Sequence, residues 1–178
     1  MAKTVKECFS EAKKLDEKGK KHKGLLLTKP DPKKAEAYIL KAKMNLNLCD
    51  IYKEKHFDYM IEEAWYYTMY YCALAILSQF GVESRSQDCT AKFLYAVKQK
   101  GIVALSDDFI QQITVHSDKG DLSAVDAREQ ARYGASITSE QALQKYVYMM
   151  DLCRKYISEA EEIVYSSGTL VVPNELMK

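Results

Sequence analysis

An all-α fold is what this sequence predicts, and three observations predict it. Only 7 Gly and 3 Pro occur in 178 residues, against about 12% for the two together in average usage, so turn-forming residues are scarce. Long stretches carry apolar residues at alternating steps of three and four, the spacing that lays them on one face of a helix. The few Gly and Pro residues also stand where helices would start or stop. The expected architecture is an antiparallel up-and-down bundle of four to five main helices plus short helices, within a single domain of residues 1–178. Residues 1–30 form a basic helix and linker, 32–166 the bundle core, and 167–178 a loose tail.

Composition narrows the class further. With 47% hydrophobic and 29% charged residues the chain can bury a core, which excludes a disordered tail, and it is too short in Gly, Pro and Cys for collagen-like, low-complexity or disulfide-scaffold chains. Twenty-six basic and 25 acidic side chains leave a net charge of +1, so any binding of nucleic acid or an anionic surface must come from a local patch. The start, Met1-Ala2-Lys3-Thr4-Val5-Lys6-Glu7, has no apolar segment of secretory type, and a cytoplasmic protein is expected. Cys8, Cys49, Cys72, Cys89 and Cys153 make an odd count without a C-x-x-C pair, and are read as reduced, buried thiols.

The elements follow in order. Residues 4–18 read as a helix running into Lys20-Lys21-His22-Lys23, a basic run between Gly19 and Gly24 that suits either a solvated helix end or a phosphate contact. Asp31-Pro32 starts the next helix, over about 32–55: Asp accepts from the unpaired first-turn amides, and Pro needs no donor there. Its apolar face is Ala35, Tyr38, Ile39, Ala42, Leu46, Cys49 and Tyr52. A third helix spans about 58–80, where Ala64 to Leu77 is apolar all round and includes Trp65, Tyr66, Tyr67, Tyr70 and Tyr71. Such a helix is central to a bundle or shared with a second subunit. It is too short and too rich in phenols for a membrane span. Gly81 ends it.

Val82 to Asp88 reads as a polar loop, with Ser86 placed to cap a helix over about 87–100 that Gly101 closes. A short helix is expected near 107–115, a loop over 116–121, and a further helix over 122–134. The last helix is the clearest. Thr138-Ser139-Glu140-Gln141 matches a capping box, and Leu143, Tyr146, Met150, Cys153, Ile157, Ala160 and Val164 then run about 26 residues to Ser167-Gly168.

The familiar chemistries find little support. Seven scattered glycines form neither G-x-G-x-x-G nor a Walker loop, and His22, His56 and His116 fall in expected loops without a Glu-x-x-His, so no metal or cofactor is expected. Two polar clusters remain, Ser84-Arg85-Ser86-Gln87-Asp88 and Arg128-Glu129-Gln130-Ala131-Arg132-Tyr133-Gly134. Each adjoins a helix boundary and carries arginine, which suits bidentate phosphate contact as well as structural ion pairing.

The run from Ala64 to Leu77 followed by Gly81-Val82-Glu83-Ser84-Arg85-Ser86-Gln87 resembles the central helix and following loop of the HEPN superfamily. The stretch Arg128 to Gly134, with Ile137-Thr138-Ser139-Glu140-Gln141-Ala142 after it, is similar to the run that opens the last helix in the same families. The likeness spans about 32–166 and is strongest to prokaryotic members associated with minimal nucleotidyltransferases. It implies a homodimeric all-α bundle, either a metal-independent ribonuclease using Arg-x(4–6)-His or a partner of a nucleotidyltransferase in a toxin–antitoxin pair. In such a nuclease Arg stabilises the phosphoryl centre while His moves a proton. Here no His follows Arg85, Arg128, Arg132 or Arg154 at that spacing. Gln87 stands where a His is common, and Gln cannot shuttle a proton.

The expected function is therefore that of a non-catalytic binding or regulatory protein. Arg85, Ser86, Gln87, Arg128 and Arg132 are the expected contacts to nucleotide or RNA phosphate. Trp65, Tyr66, Tyr70 and Tyr71 are the expected dimer interface. The rivals are a ribonuclease with a displaced base, for which His116 is a candidate, and a purely structural adaptor. No membrane partner is expected.

Overall fold

The computed structural model describes residues 3–114, 124–135, 139–166 and 168–177. Helices dominate them: α1 (Val5–Asp16), α2 (Pro32–Glu54), α3 (Asp58–Gln79), α4 (Gln87–Gln99), α5 (Asp107–Ile113), α6 (Ala124–Tyr133) and α7 (Glu140–Tyr165). The fold is all-α, as the composition predicts. Helix α3 is the axis around which α2, α4, α5, α6 and α7 pack. Its all-round apolar sequence is explained by that position: Ile61, Met69, Cys72, Ala73, Ile76 and Leu77 are all buried.

Local signals set most boundaries. Thr4 caps α1 in a capping box with Glu7, and the Asp31 side chain accepts from the Lys34 amide with Pro32 at the first helical position. Helix α7 starts one residue later than its sequence signature: Ser139 is the cap, accepting from the Ala142 amide at 3.1 Å. With Ser139 in that role the third helical residue is Ala142, so no reciprocal box forms; Thr138 and His116 lie outside the described residues. Helices α2 and α7 meet through Tyr146, whose hydroxyl donates to Asp50 at 2.6 Å, and through Lys43–Glu161. These two contacts fix an antiparallel pairing.

Three expectations need correction. The segment read as a polar loop begins with a strand, β2 (Val82–Ser84), which pairs antiparallel with β1 (Leu25–Leu27), Leu26 opposite Glu83. Three residues are too few for an alternating pattern to show. The five cysteines are not all thiols: Cys8 and Cys89 form a disulfide across 81 residues of sequence, with Cα atoms 5.9 Å apart. Cysteine usage therefore gives no argument for a reducing compartment. Cys49, Cys72 and Cys153 are free and buried, and burial, with Asp50 nearby, pushes the Cys49 thiol up to about 12, which makes it inert as a nucleophile. The C-terminal tail is docked rather than loose, because Val172 is buried and Glu175 pairs with Lys100 at 2.6 Å.

The N-terminal arm, α1 with β1, is thus held to α3 and α4 by the disulfide, the two-stranded pairing and one further clasp. In that clasp His22, only 4% exposed, sits 3.1 Å through Nε2 from the Glu83 carboxylate. No helix among the described residues is long and apolar enough to cross a membrane.

Candidate functional site

The two polar clusters singled out in the sequence flank consecutive turns of α3. Tyr66 and Tyr70 stack with ring centroids 5.5 Å apart and planes 15° off parallel. Over Tyr66 lies Arg128 of α6, its guanidinium carbon 4.4 Å from the ring centroid. Beyond Tyr70 lie Ser84 and Thr90. Burial raises the Tyr70 phenol above its ordinary value, and hydrogen bonding with Thr90 and Ser84 opposes that rise. One strip of aromatic rings therefore joins α6 to the β2–α4 junction.

Each expected anion contact has a definite place. Arg128 is 8% exposed; its Nη2 lies 3.3 Å from Glu129, and its Nε is buried without a hydrogen-bond partner among the described residues. Arg132, one turn along α6, is exposed. Arg85 is exposed but bound: its Nε donates to Glu83 at 3.0 Å and its amide to the Gly24 carbonyl at 3.0 Å. Ser86 is committed to structure, because its hydroxyl accepts from the Cys89 amide as the cap of α4. Gln87, the first residue of α4, is half-buried.

Glu83 joins elements that the sequence keeps far apart. One of its oxygens takes both the His22 and the Arg85 contacts. Burial alone would raise its pKa, but those two partners outweigh it and hold the carboxyl below its ordinary value. A carboxylate depressed in this way stabilises the fold at neutral pH and gives that stability up as pH falls through its folded value. His22 thus comes within reach of an arginine's ion pair from 61 residues away from Glu83, which no spacing rule could find. It is buried beside the carboxylate, with Nδ1 unpartnered among the described residues. Among the described residues no cluster of His, Cys, Asp and Glu is placed to hold a metal ion.

The tyrosines divide by depth. Tyr66 is fully buried and Trp65 is 3% exposed, so neither has area to give a second subunit, which corrects their expected interface role. Tyr38, Tyr67, Tyr70 and Tyr71 are half-buried and form a continuous patch: Tyr38 stacks on Tyr71 at 6.0 Å, Tyr71 on Tyr67 at 5.8 Å, and Tyr67 meets Tyr66 edge-on at 5.2 Å. Lys41 of α2 lies 5.6 Å from the Tyr71 ring centroid and 5.7 Å from that of Tyr38. Sequence reasoning passed over Lys41, which lies on α2 and meets the α3 tyrosines only across the turn that joins the two helices.

Fold and site together define an all-α bundle with a tyrosine surface flanked by Lys41. Neither the known protein-family models nor the curated proteins give a match to this chain.

Proposed function

We propose that this chain is a non-catalytic binding protein of HEPN type that takes a phosphate-bearing ligand, nucleotide or RNA, on the tyrosine face of α3. The observation that carries this reading is Lys41 beside the half-buried rings of Tyr71 and Tyr38, at the accessible end of a strip of tyrosines whose buried end, Tyr66, is covered by Arg128. Cations beside aromatic faces bind the backbone and the bases of a single strand together, and stacking contributes about 1–3 kcal/mol per base. Arg132 and Arg85, both exposed, are the further anion contacts in this reading. The HEPN reading also makes a nucleotidyltransferase the natural protein partner and implies a cytoplasmic protein, in which the buried Cys8–Cys89 bond has to persist against a reducing medium.

The test is fluorescence anisotropy with a labelled single-stranded oligoribonucleotide in metal-free buffer. Lys41→Glu and Tyr71→Ala are each expected to weaken binding by about tenfold, equivalent to about 1.4 kcal/mol, and the RNA is expected to emerge intact. Binding indifferent to both substitutions would remove the tyrosine face from consideration. Metal-independent cleavage lost in Arg85→Ala would replace the reading with the ribonuclease one.

A specific observation favours a homodimer through a different surface from the one expected. Helix α2 carries a second apolar stripe opposite its core face, with Leu40 60%, Met44 58% and Ile51 50% exposed, and α7 beside it exposes Val147 at 71%. Exposed apolar residues in such a row mark a contact surface. Light scattering is expected to show a dimer that Met44→Glu with Val147→Glu converts to monomer. A mass unchanged by the pair of substitutions excludes this face.

A further inference from the structure

A second concavity lies on the other side of α6. Helices α3, α5, α6 and α7 enclose a cavity of about 270 Å³. Its buried floor includes Trp65 and Met149, and Ala124 and Ala127 of α6 form one wall, while Arg128 of the same helix turns to Tyr66. Glu62 and Gln112 stand half-buried in the walls, and Gln141, Gln144 and Lys145 are exposed at the rim.

The chemistry of this lining selects a ligand. The half-buried Gln112 amide and the rim amides of Gln141 and Gln144 give the cavity hydrogen-bonding groups that an apolar guest would not use. An anion would meet Glu62, and a cation would find only that one carboxyl opposed by Lys145. Burial raises the Glu62 carboxyl above its ordinary value, against a hydrogen bond from Ser139 and the charge of Lys145, and the carboxyl stands beside the amides as a further hydrogen-bonding group of the lining. Gln112 accepts from the Ala124 amide at 3.0 Å, which orients its NH2 group as a donor. Donor–acceptor pairs around an indole floor match a flat molecule with the same alternation on its edge. The volume falls at the small end of ligand sites, below the roughly 300 Å³ where drug-sized pockets begin.

We propose that this cavity is a second binding site, for an uncharged planar nitrogen heterocycle of the nucleobase class, read by Gln112, Gln141, Gln144 and Glu62 over Trp65. The base enters the cavity and any sugar stays at the exposed rim. The site shares no residue with the Lys41–Tyr71 surface, so it stands or falls independently of the phosphate-binding reading.

The chain's single tryptophan is Trp65, which lines this cavity and also packs against Tyr146, so its emission serves as the readout and the substitutions below assign it to the cavity. The experiment titrates the protein with adenosine, guanosine, cytidine and uridine, none of which carries a phosphate. At least one is expected to give a saturable change in Trp65 fluorescence. Gln141→Leu with Gln144→Leu, both at exposed positions, is expected to weaken that change tenfold or more, and Lys41→Glu is expected to leave it untouched. The proposal is overturned by the absence of saturation with all four nucleosides, or by saturation that the double substitution does not weaken.

Discussion

Removing the Cys8–Cys89 disulfide, by reduction or as Cys8→Ala with Cys89→Ala, is expected to destabilise the protein by about 4 kcal/mol. The bond spans 81 residues, and constraining so long a loop in the unfolded chain removes entropy worth roughly 4–5 kcal/mol on the loop-closure model. For a chain of this length that corresponds to a fall in melting temperature of roughly 10 °C. The unfolded state also becomes larger once the loop is open, so the urea dependence should steepen as the midpoint falls. Both sulfurs are buried, each cysteine being 1% exposed, and reduction of the native protein should therefore be slow until the arm opens. The fold should survive the loss, because β1–β2 pairing and the His22–Glu83 contact still hold the arm. Urea unfolding of the oxidised, reduced and doubly substituted forms checks this. Equal midpoints in all three would mean that the arm is held by its other contacts alone.

Helices were legible because each carries its own local signal. Asp31-Pro32 and Gly81 bracket α2 and α3 through first-turn amides and a left-handed terminal residue, and both effects act within a few positions. The α7 stripe was legible for the same reason, although two adjacent hydroxyl residues, Thr138 and Ser139, left its cap ambiguous. What local signals cannot carry is pairing at a distance. Leu25–Leu27 becomes a strand only because Val82–Ser84 arrives beside it, and Cys8 meets Cys89 only after α1 has folded back on α4. The division of the tyrosines is of the same kind. Tyr66 and Tyr67 are adjacent in sequence and equally apolar, yet α6 covers one and leaves the other half-open. The Lys41 contact was invisible because it crosses between the facing helices α2 and α3, and the clasp at Glu83 because it joins His22, ahead of β1, to β2. Arginine position was the part of the candidate site that composition could reach, and its burial at Arg128 was not.

Gly81→Ala is expected to cost about 3 kcal/mol or more, well beyond the same change at Gly101. Both glycines have left-handed backbones, φ +68° at Gly81 and +67° at Gly101, so each substitution incurs the roughly 1–2 kcal/mol of an L-residue in that region. Their surroundings separate them. A Cβ at Gly101 meets nothing within 4 Å, whereas at Gly81 it would lie 2.6 Å from the Thr28 carbonyl oxygen and the Pro30 nitrogen and 2.8 Å from the Lys29 carbonyl carbon. Those atoms belong to backbone and cannot swing aside. Relief requires the 28–31 crossing to lift off the end of α3, which strains the Thr28 amide's bond to the Gly81 carbonyl, the Asp31 amide's bond to Ser78 and the Asp31 cap of α2. A lost cap alone costs about 1 kcal/mol. The displacement also runs forward, since β2 begins at the next residue and carries Glu83 and Ser84 to the clasp and to Tyr70. Gly81→Ala should therefore weaken RNA binding at the tyrosine face together with stability, while Gly101→Ala, at the far end of α4, should lower stability slightly and leave binding unchanged. Urea midpoints and anisotropy measured on the two variants side by side decide the point. Equal costs would show that the close approach of residues 28–30 to Gly81 relaxes freely, and would uncouple the α3 terminus from the binding surface.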